Sequence, residues 1–186
     1  MSSTNRSAER SKWDYYVTPH WMVKEFLESY TERYPLPFDA QLLDCCAGGD
    51  SKRPMSYPTV LAEAGFTSVT TVDIRNDSGA SIVSNYLHLP KFNHFDLIIT
   101  NPPFDVSVEI VEKAIEEGDI VVMLQRLNWI GSDKRAPFWK SAPLKHVFAH
   151  NKRASFTENG QKDSIEYAHF VFEKGYVDEA KFTLIL

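Results

Sequence analysis

The chain has no apolar run of about 18 residues or more, which excludes a transmembrane helix. Its first residues, MSSTNRSAERSK, lack the apolar stretch of a signal peptide, so residues 1–12 are expected to form a flexible amino terminus. Cysteine is nearly absent. The two present, Cys45 and Cys46, are neighbours, a spacing that closes no ordinary disulfide and offers too few thiols for zinc. They read as small core residues of a reduced, cytoplasmic protein. No internal repeat and no low-complexity linker interrupts the chain, and His20 and His169 show no metal-ligand spacing. No metal is expected.

What is present suits one domain over residues 13–186, since 43% of the 186 residues are hydrophobic and 24% charged. The net charge of −5 argues weakly against a polyanionic partner, but its distribution is uneven. Residues 124–162 carry eight basic residues (Arg126, Lys134, Arg135, Lys140, Lys145, Lys152, Arg153 and Lys162) against Asp133 and Glu158. That segment is therefore +6 and the remainder −11. It reads either as a solvated charged face or as a footprint for nucleic acid.

Short apolar runs suited to buried strands occur at 41–46, 67–74, 80–85 (weakly), 95–100, 119–124, 144–150, 166–174 and 181–186. Helical patterns lie between them at 19–33, 57–65, 105–117 and 133–141. Continuous strand hydrophobicity alternating with helices predicts a Rossmann-like, doubly wound α/β fold with a mostly parallel sheet. Little helix separates the last three strands, so an antiparallel terminal hairpin is expected. Trp129 and Trp139 read as core. In such sheets ligands bind beyond the carboxyl ends of the strands.

Three motifs sit at those ends. In LLDCCAGGDS (42–51) a strand ends at Asp44, and Ala47-Gly48-Gly49 turns into a helix. Glycine allows positive φ and close approach of backbone to a ligand, although a plain strand-to-helix turn reads the same way. No Walker lysine follows, which argues against a phosphate loop. In VTTVDIRN (69–76), Asp73 lies 29 residues after Asp44, where an acid can accept from both hydroxyls of a ribose or cap a helix. Together the two point to an adenosyl ligand. The third motif, DLIITNPPFD (96–105), runs a strand into Asn101-Pro102-Pro103-Phe104. Each proline fixes φ and holds its predecessor extended, so the motif is a rigid strut. It can aim the Asn101 side-chain carbonyl and the Pro102 backbone carbonyl at the two hydrogens of one exocyclic amine. Phe104 can then stack on the ring that bears it.

Asn-Pro-Pro-Phe after the fourth strand resembles the catalytic signature of amino-methylating, S-adenosylmethionine-dependent methyltransferases, especially small phage-type DNA N6-adenine enzymes. Other pieces follow that family's order. DYYVTPHWM (14–22) resembles its amino-terminal Tyr-x-Thr-Pro segment, which implies that Tyr16, Thr18 and Pro19 help hold the cofactor's methionine part. LLDCCAGG resembles the cofactor loop, implicating Asp44, Ala47 and Gly48, with Asp73 as the ribose acid. VSNYLHL (83–89) lies where the family touches the cofactor's adenine, implicating Asn85. FTENGQKDSIEYAHFVF (156–172) resembles a late segment whose aromatic residue, here Phe156, lines the target pocket.

The resemblance implies a class I methyltransferase fold and S-adenosylmethionine as cofactor. Asn101, Pro102, Pro103 and Phe104 become the catalytic set, with Asn101 also bordering the cofactor. Phe104, Phe156 and the basic loop residues Lys134 and Arg135 become substrate contacts. Two positions depart from the pattern. Asp50 stands where a further glycine is common, and Asn85 replaces an aspartate. Only 51 residues lie between Phe104 and Phe156, so no separate target-recognition domain and low sequence selectivity are expected. The expected activity is methyl transfer to the N6 amine of adenine in DNA. The alternatives are an RNA base methyltransferase acting on adenine or guanine amines, a protein glutamine methyltransferase, or a catalytically silent module that binds cofactor or nucleic acid.

Overall fold

The computed structural model describes residues 16–156 and 164–186. The expected flexible terminus and the middle of the 156–172 segment lie outside the described residues. The elements run α1 (His20–Thr31), β1 (Leu42–Asp44), α2 (Ser56–Glu63), β2 (Val69–Asp73), β3 (Ile82–Val83) and β4 (Phe95–Thr100). They continue with α3 (Ser107–Glu117), β5 (Gly118–Arg126), α4 (Ala136–Trp139), β6 (Leu144–His150), β7 (Tyr167–Glu173) and β8 (Lys181–Ile185).

The strands form one sheet in the order β3-β2-β1-β4-β5-β7-β6-β8. β7 is antiparallel to both of its neighbours, and all other pairings are parallel. The expected hairpin exists between β6 and β7, but it does not end the sheet. β7 inserts between β5 and β6, and β8 returns parallel along the outside of β6. Hydrophobicity explains the order. Six of the seven β7 residues are buried, which suits an interior strand, whereas Ile185 alone is buried in β8, which suits an edge.

Side chains alternate across the sheet, so each strand feeds two cores. Leu42, Leu97, Ile99, Val122, Phe148 and Val171 pack with α1 and α2 on one face. Leu43, Ile98, Val121, Met123, Phe170 and Phe172 pack with α3 and α4 on the other. α1 is amphipathic for this reason: Met22, Val23, Phe26, Leu27 and Tyr30 recur at helical spacing and are all buried. The helix expected at 133–141 is shorter than its pattern. Asp133–Arg135 forms a 3-10 turn, and the α segment covers only Ala136–Trp139. Pro137 cannot donate to a preceding turn and Pro143 forces the chain out, leaving room for a single turn.

One buried acid ties a loop to the scaffold. Glu117, at the end of α3, is 1% exposed. It accepts from the Tyr86 hydroxyl at 2.5 Å, from Lys113 Nζ at 2.7 Å and from the Phe92 backbone N–H at 3.2 Å. This pins residues 86–92, which follow β3, against α3. Removing one partner of such a cluster strands the others without water. Glu117→Ala should lower unfolding free energy by about 3 kcal/mol or more, read by urea denaturation. Lys24→Ala, which breaks only the exposed pair with Glu63, should leave the midpoint nearly unchanged.

Candidate active site

The carboxyl ends of β1, β2 and β4 point the same way, and a cavity of about 500 Å³ opens above them. The turn after β1 forms its floor. Gly48 and Gly49 have φ of 64° and 76°, the left-handed region where side chains are strained. A Cβ on Gly49 would stand 2.7 Å from Met55 Cγ and 3.0 Å from the Ser78 carbonyl, so this turn admits no side chain there. Asp50 needs no glycine geometry. Its carboxylate accepts from the backbone N–H groups of Lys52 and Arg53 and pairs with the Arg53 guanidinium, which holds its pKa down to about 2. This departure from the family pattern closes the turn outside the floor.

Asp73, at the end of β2, reaches back to that floor. Its Oδ2 accepts from the Gly48 N–H at 2.8 Å and its Oδ1 from the Arg75 N–H at 2.8 Å. The Arg75 side chain also pairs with Asp73 and donates to the Gly49 carbonyl. Asp73 still lines the cavity, and a carboxylate has lone pairs beyond these two bonds. Asn85 lies on the adjoining wall, where its Oδ1 caps the turn at Tyr86–His88 by accepting from the Leu87 N–H at 3.0 Å. One lone pair of that carbonyl is committed to the turn.

The opposite wall is the strut after β4. Asn101, Pro102, Pro103 and Phe104 all line the cavity. The Asn101 Nδ2 donates to Thr18 Oγ1 at 3.1 Å, joining two segments 83 residues apart. Among the described residues no donor pairs with the Pro102 carbonyl. The Phe104 ring is partly buried beside Trp21 and Phe156, with the Arg126 guanidinium 4.4 Å above it. Phe156 packs against Tyr167 at 4.6 Å, and both face the cavity. Tyr16, Thr18, Ala47 and Gly48 also line it.

Four of the expected residues do not line it. Pro19 caps the start of α1. Lys134 is exposed on the 3-10 turn outside it, and Arg135 donates to the Trp129 carbonyl at 2.7 Å, which makes it a brace for its own loop. Asp44 is wholly buried beneath the floor. Conversely, Tyr57, Tyr86, Leu87 and Tyr167 line the cavity without having been singled out. The helix that follows the glycine turn was the signal for Tyr57, since its first residues must face the same opening. Arg126 was visible only as one of eight basic residues.

The electrostatics centre on Asp44. Its Oδ1 accepts from the Thr100 hydroxyl at 2.5 Å and the Cys46 N–H at 3.2 Å, while its buried Oδ2 has no partner among the described residues. Burial raises its pKa from 3.8 to about 7, opposed by those two bonds and reinforced by the charge of Asp73. Held in the proton-bound form, Asp44 contributes stability below about pH 4 that is lost as pH rises to about 7. The buried histidines His146, His150 and His169, whose pKa values burial lowers, act in the opposite sense over the same window, so the Asp44 contribution is read by difference. Relative to the ligand-free wild type, Asp44→Asn should gain thermal stability as pH rises from about 4 to about 7. A difference that does not change with pH would mean that Asp44 ionises as an ordinary acid.

No protein-family model and no curated protein matches the chain. Solved structures do. A candidate RNA methyltransferase from Pyrococcus horikoshii superposes with a TM-score of 0.67 at 14% identity, over 92% of this chain and 94% of that one. A candidate class I S-adenosylmethionine-dependent methyltransferase from Listeria monocytogenes gives 0.62 at 13% identity, covering 91% of this chain and 65% of that one. The methyltransferase subunit of a type I restriction-modification system from Streptococcus thermophilus gives 0.62 at 11% identity, covering 91% and 47%. The chain thus spans less than two thirds of the last two proteins. What it shares with all three is the class I methyltransferase fold.

Proposed function

We infer that this chain transfers a methyl group from S-adenosylmethionine to the N6 amine of adenine in DNA, with low sequence selectivity. The observation that carries this reading is the meeting of the Asn101-Pro102-Pro103-Phe104 strut with the Gly48 turn and Asp73 around one cavity. The residues present fit the cofactor. The glycine floor leaves no Cβ in the way, and Asp73 offers a carboxylate to ribose hydroxyls. Tyr16, Thr18, Ala47, Gly48, Asp73 and Asn85 would hold it.

When bound, S-adenosylmethionine supplies an electrophilic sulfonium methyl, the sulfur keeping the bonding pair as a thioether once the methyl has moved. The protein's own task is to make the amine nucleophilic. An adenine amine is poorly nucleophilic because its lone pair is delocalised into the ring. Asn101 Oδ1 and the Pro102 carbonyl accept its two hydrogens, which localises that pair and aims it. Holding the reactants in line contributes several kcal/mol. The methylated amine is acidic enough to lose its extra proton to water, so no general base is assigned. An adenine in a duplex must leave the stack, at about a few kcal/mol, to lie against Phe104 with Phe156 and Tyr167 nearby.

Low selectivity is supported by the middle of the chain. Between Phe104 and Phe156, α3, β5, α4 and β6 all pack into the sheet or its cores, leaving no helix or ribbon to enter a groove. The likeness to the Pyrococcus structure favours one second reading, methylation of a base in RNA. Labelled methyl transfer to duplex DNA, single-stranded DNA and RNA, with nucleoside analysis of the product, decides between them.

Asn101→Ala should reduce turnover by about a hundredfold or more while changing cofactor affinity by less than about threefold. Asp73→Asn should do the reverse, raising the cofactor dissociation constant by about tenfold with a smaller loss in turnover. Calorimetry and single-turnover assays on both variants separate the roles, and equal behaviour of the pair would overturn them. Activity on DNA should fall about tenfold or more between about 50 and 200 mM salt. Lys134→Ala should lower it on all sequences alike, whereas a single long recognition site would contradict the selectivity reading.

A further inference from the structure

β5 runs on past the strand beside it. Its last pairing with β4 joins Met123 to Thr100, so Leu124, Gln125 and Arg126 extend beyond the point where the strut begins. Arg126 pairs across the ladder with Tyr167 of β7, and residues directly opposite in an antiparallel pair share one face of the sheet. Tyr167 lines the cavity and packs on Phe156, so the Arg126 side chain stands on that same face, its guanidinium 4.4 Å over the Phe104 ring. What this cation lacks is an oxygen partner. Arg53 pairs with Asp50, Arg75 with Asp73, Arg153 with Glu166 and Arg33 with Glu32, while Arg135 donates to the Trp129 carbonyl. Among the described residues no acid and no carbonyl pairs with Arg126, and its Nε is buried with no hydrogen-bond partner. A ring face attracts a guanidinium but leaves its N–H groups without directed acceptors, and a buried donor left unmade is costly.

We propose that Arg126 binds a backbone phosphate of the nucleotide whose base stacks on Phe104, a role that rests on the nucleic-acid reading of the site. The sheet order decides which anion it meets. β4 pairs with β1 on one side and β5 on the other, so the strut stands between the glycine turn and Arg126. A carboxylate carried by the cofactor belongs with that turn, across the strut. On the aromatic side the incoming anion is the substrate's own, since each nucleotide within a strand has a phosphate on both sides of its sugar. A guanidinium presents a planar fork of donors to two phosphate oxygens at once, and stacking on Phe104 holds the fork in one orientation. The same ring then serves two purposes, supporting the cation and receiving the base. Such a contact reads no base edge, so it fixes the depth of the extruded nucleotide without adding sequence preference. Lysine carries the charge as a point rather than a fork, so it replaces the arginine only in part.

The contact can be read by binding, without turnover. Calorimetry on the whole chain, with S-adenosylhomocysteine present, compares 2′-deoxyadenosine with its 3′,5′-bisphosphate. The wild type should bind the bisphosphate about tenfold or more tightly than the nucleoside. Arg126→Gln should bring the two within about threefold and leave nucleoside affinity nearly unchanged, and Arg126→Lys should restore part of the preference. Lys91→Gln makes the same charge change at an exposed residue paired with Glu116, before the start of β4, and should keep the full preference. A preference that survives Arg126→Gln, or a wild type that does not bind the bisphosphate, would overturn the proposal. So would a tenfold loss of S-adenosylmethionine affinity in Arg126→Gln, which would give the guanidinium to the cofactor. Equal binding of the 2′-deoxycytidine bisphosphate, lost in the same way in Arg126→Gln, would support the phosphate contact and remove the adenine reading instead. With an active enzyme, Arg126→Gln should raise KM for DNA about tenfold and hold kcat within about threefold.

Discussion

The hydrogen bond from the Gly48 N–H to the Asp73 carboxylate is the joint on which the site depends. It links the turn after β1 to the end of β2, two strands that are already paired in parallel register. Parallel pairing places both carboxyl ends on the same rim, and this bond sets the height of the glycine turn against the neighbouring acid. Everything that opens onto the cavity is then placed relative to that turn. The loop holding Asn85 follows β3, which pairs with β2, and the strut holding Asn101 follows β4, which pairs with β1. A parallel sheet with its order reversing at β1 and β4 leaves a crevice at that point, and the cavity occupies it.

Rigidity is distributed unevenly around this crevice, and the distribution makes chemical sense. The prolines after β4 remove torsional freedom and two N–H groups, which makes the strut rigid and leaves fewer local donors for its carbonyls. The side chain of Asn101 has no such covalent restraint. It is held through Thr18, from a segment that precedes the sheet in sequence. Asp44 shows the opposite arrangement, a carboxyl group enclosed by the sheet with one oxygen that has no partner among the described residues.

The basic segment illustrates how charge in sequence differs from charge in space. Residues 124–162 carry a surplus of +6, yet several members meet acids from other elements. Lys145 pairs with Glu173, Arg153 with Glu166 at 2.8 Å, and Lys152 approaches Glu25 at 3.9 Å. Arg126 lies over Phe104, and Arg135 is spent on backbone carbonyls of its own loop. The surplus is therefore not one continuous face. Contacts to a polyanion would rely on a few exposed residues, Lys134 and Lys140 among them, together with whatever cationic character Arg126 lends to the aromatic pocket.

The eight strands of the described residues were legible in the chain because their residues come in short apolar or β-favouring runs, and even the weak run at 80–85 proved to be β3. The fold class and the three motif-bearing strand ends followed from the same local signals. What local signals could not show was the neighbour each element takes. The place of β7 between β5 and β6 depends on competition among strands for the interior, and the truncation of α4 depends on where two prolines fall against the core. The polar contacts in and beneath the site are further still from local pattern. Thr18 lies 83 residues from Asn101, and Tyr57 lies 112 from His169. A motif records which side chains could do the chemistry. The bonds that orient them form only once the sheet has brought distant segments within about 3 Å, because a hydrogen bond has that short reach whatever the separation along the chain.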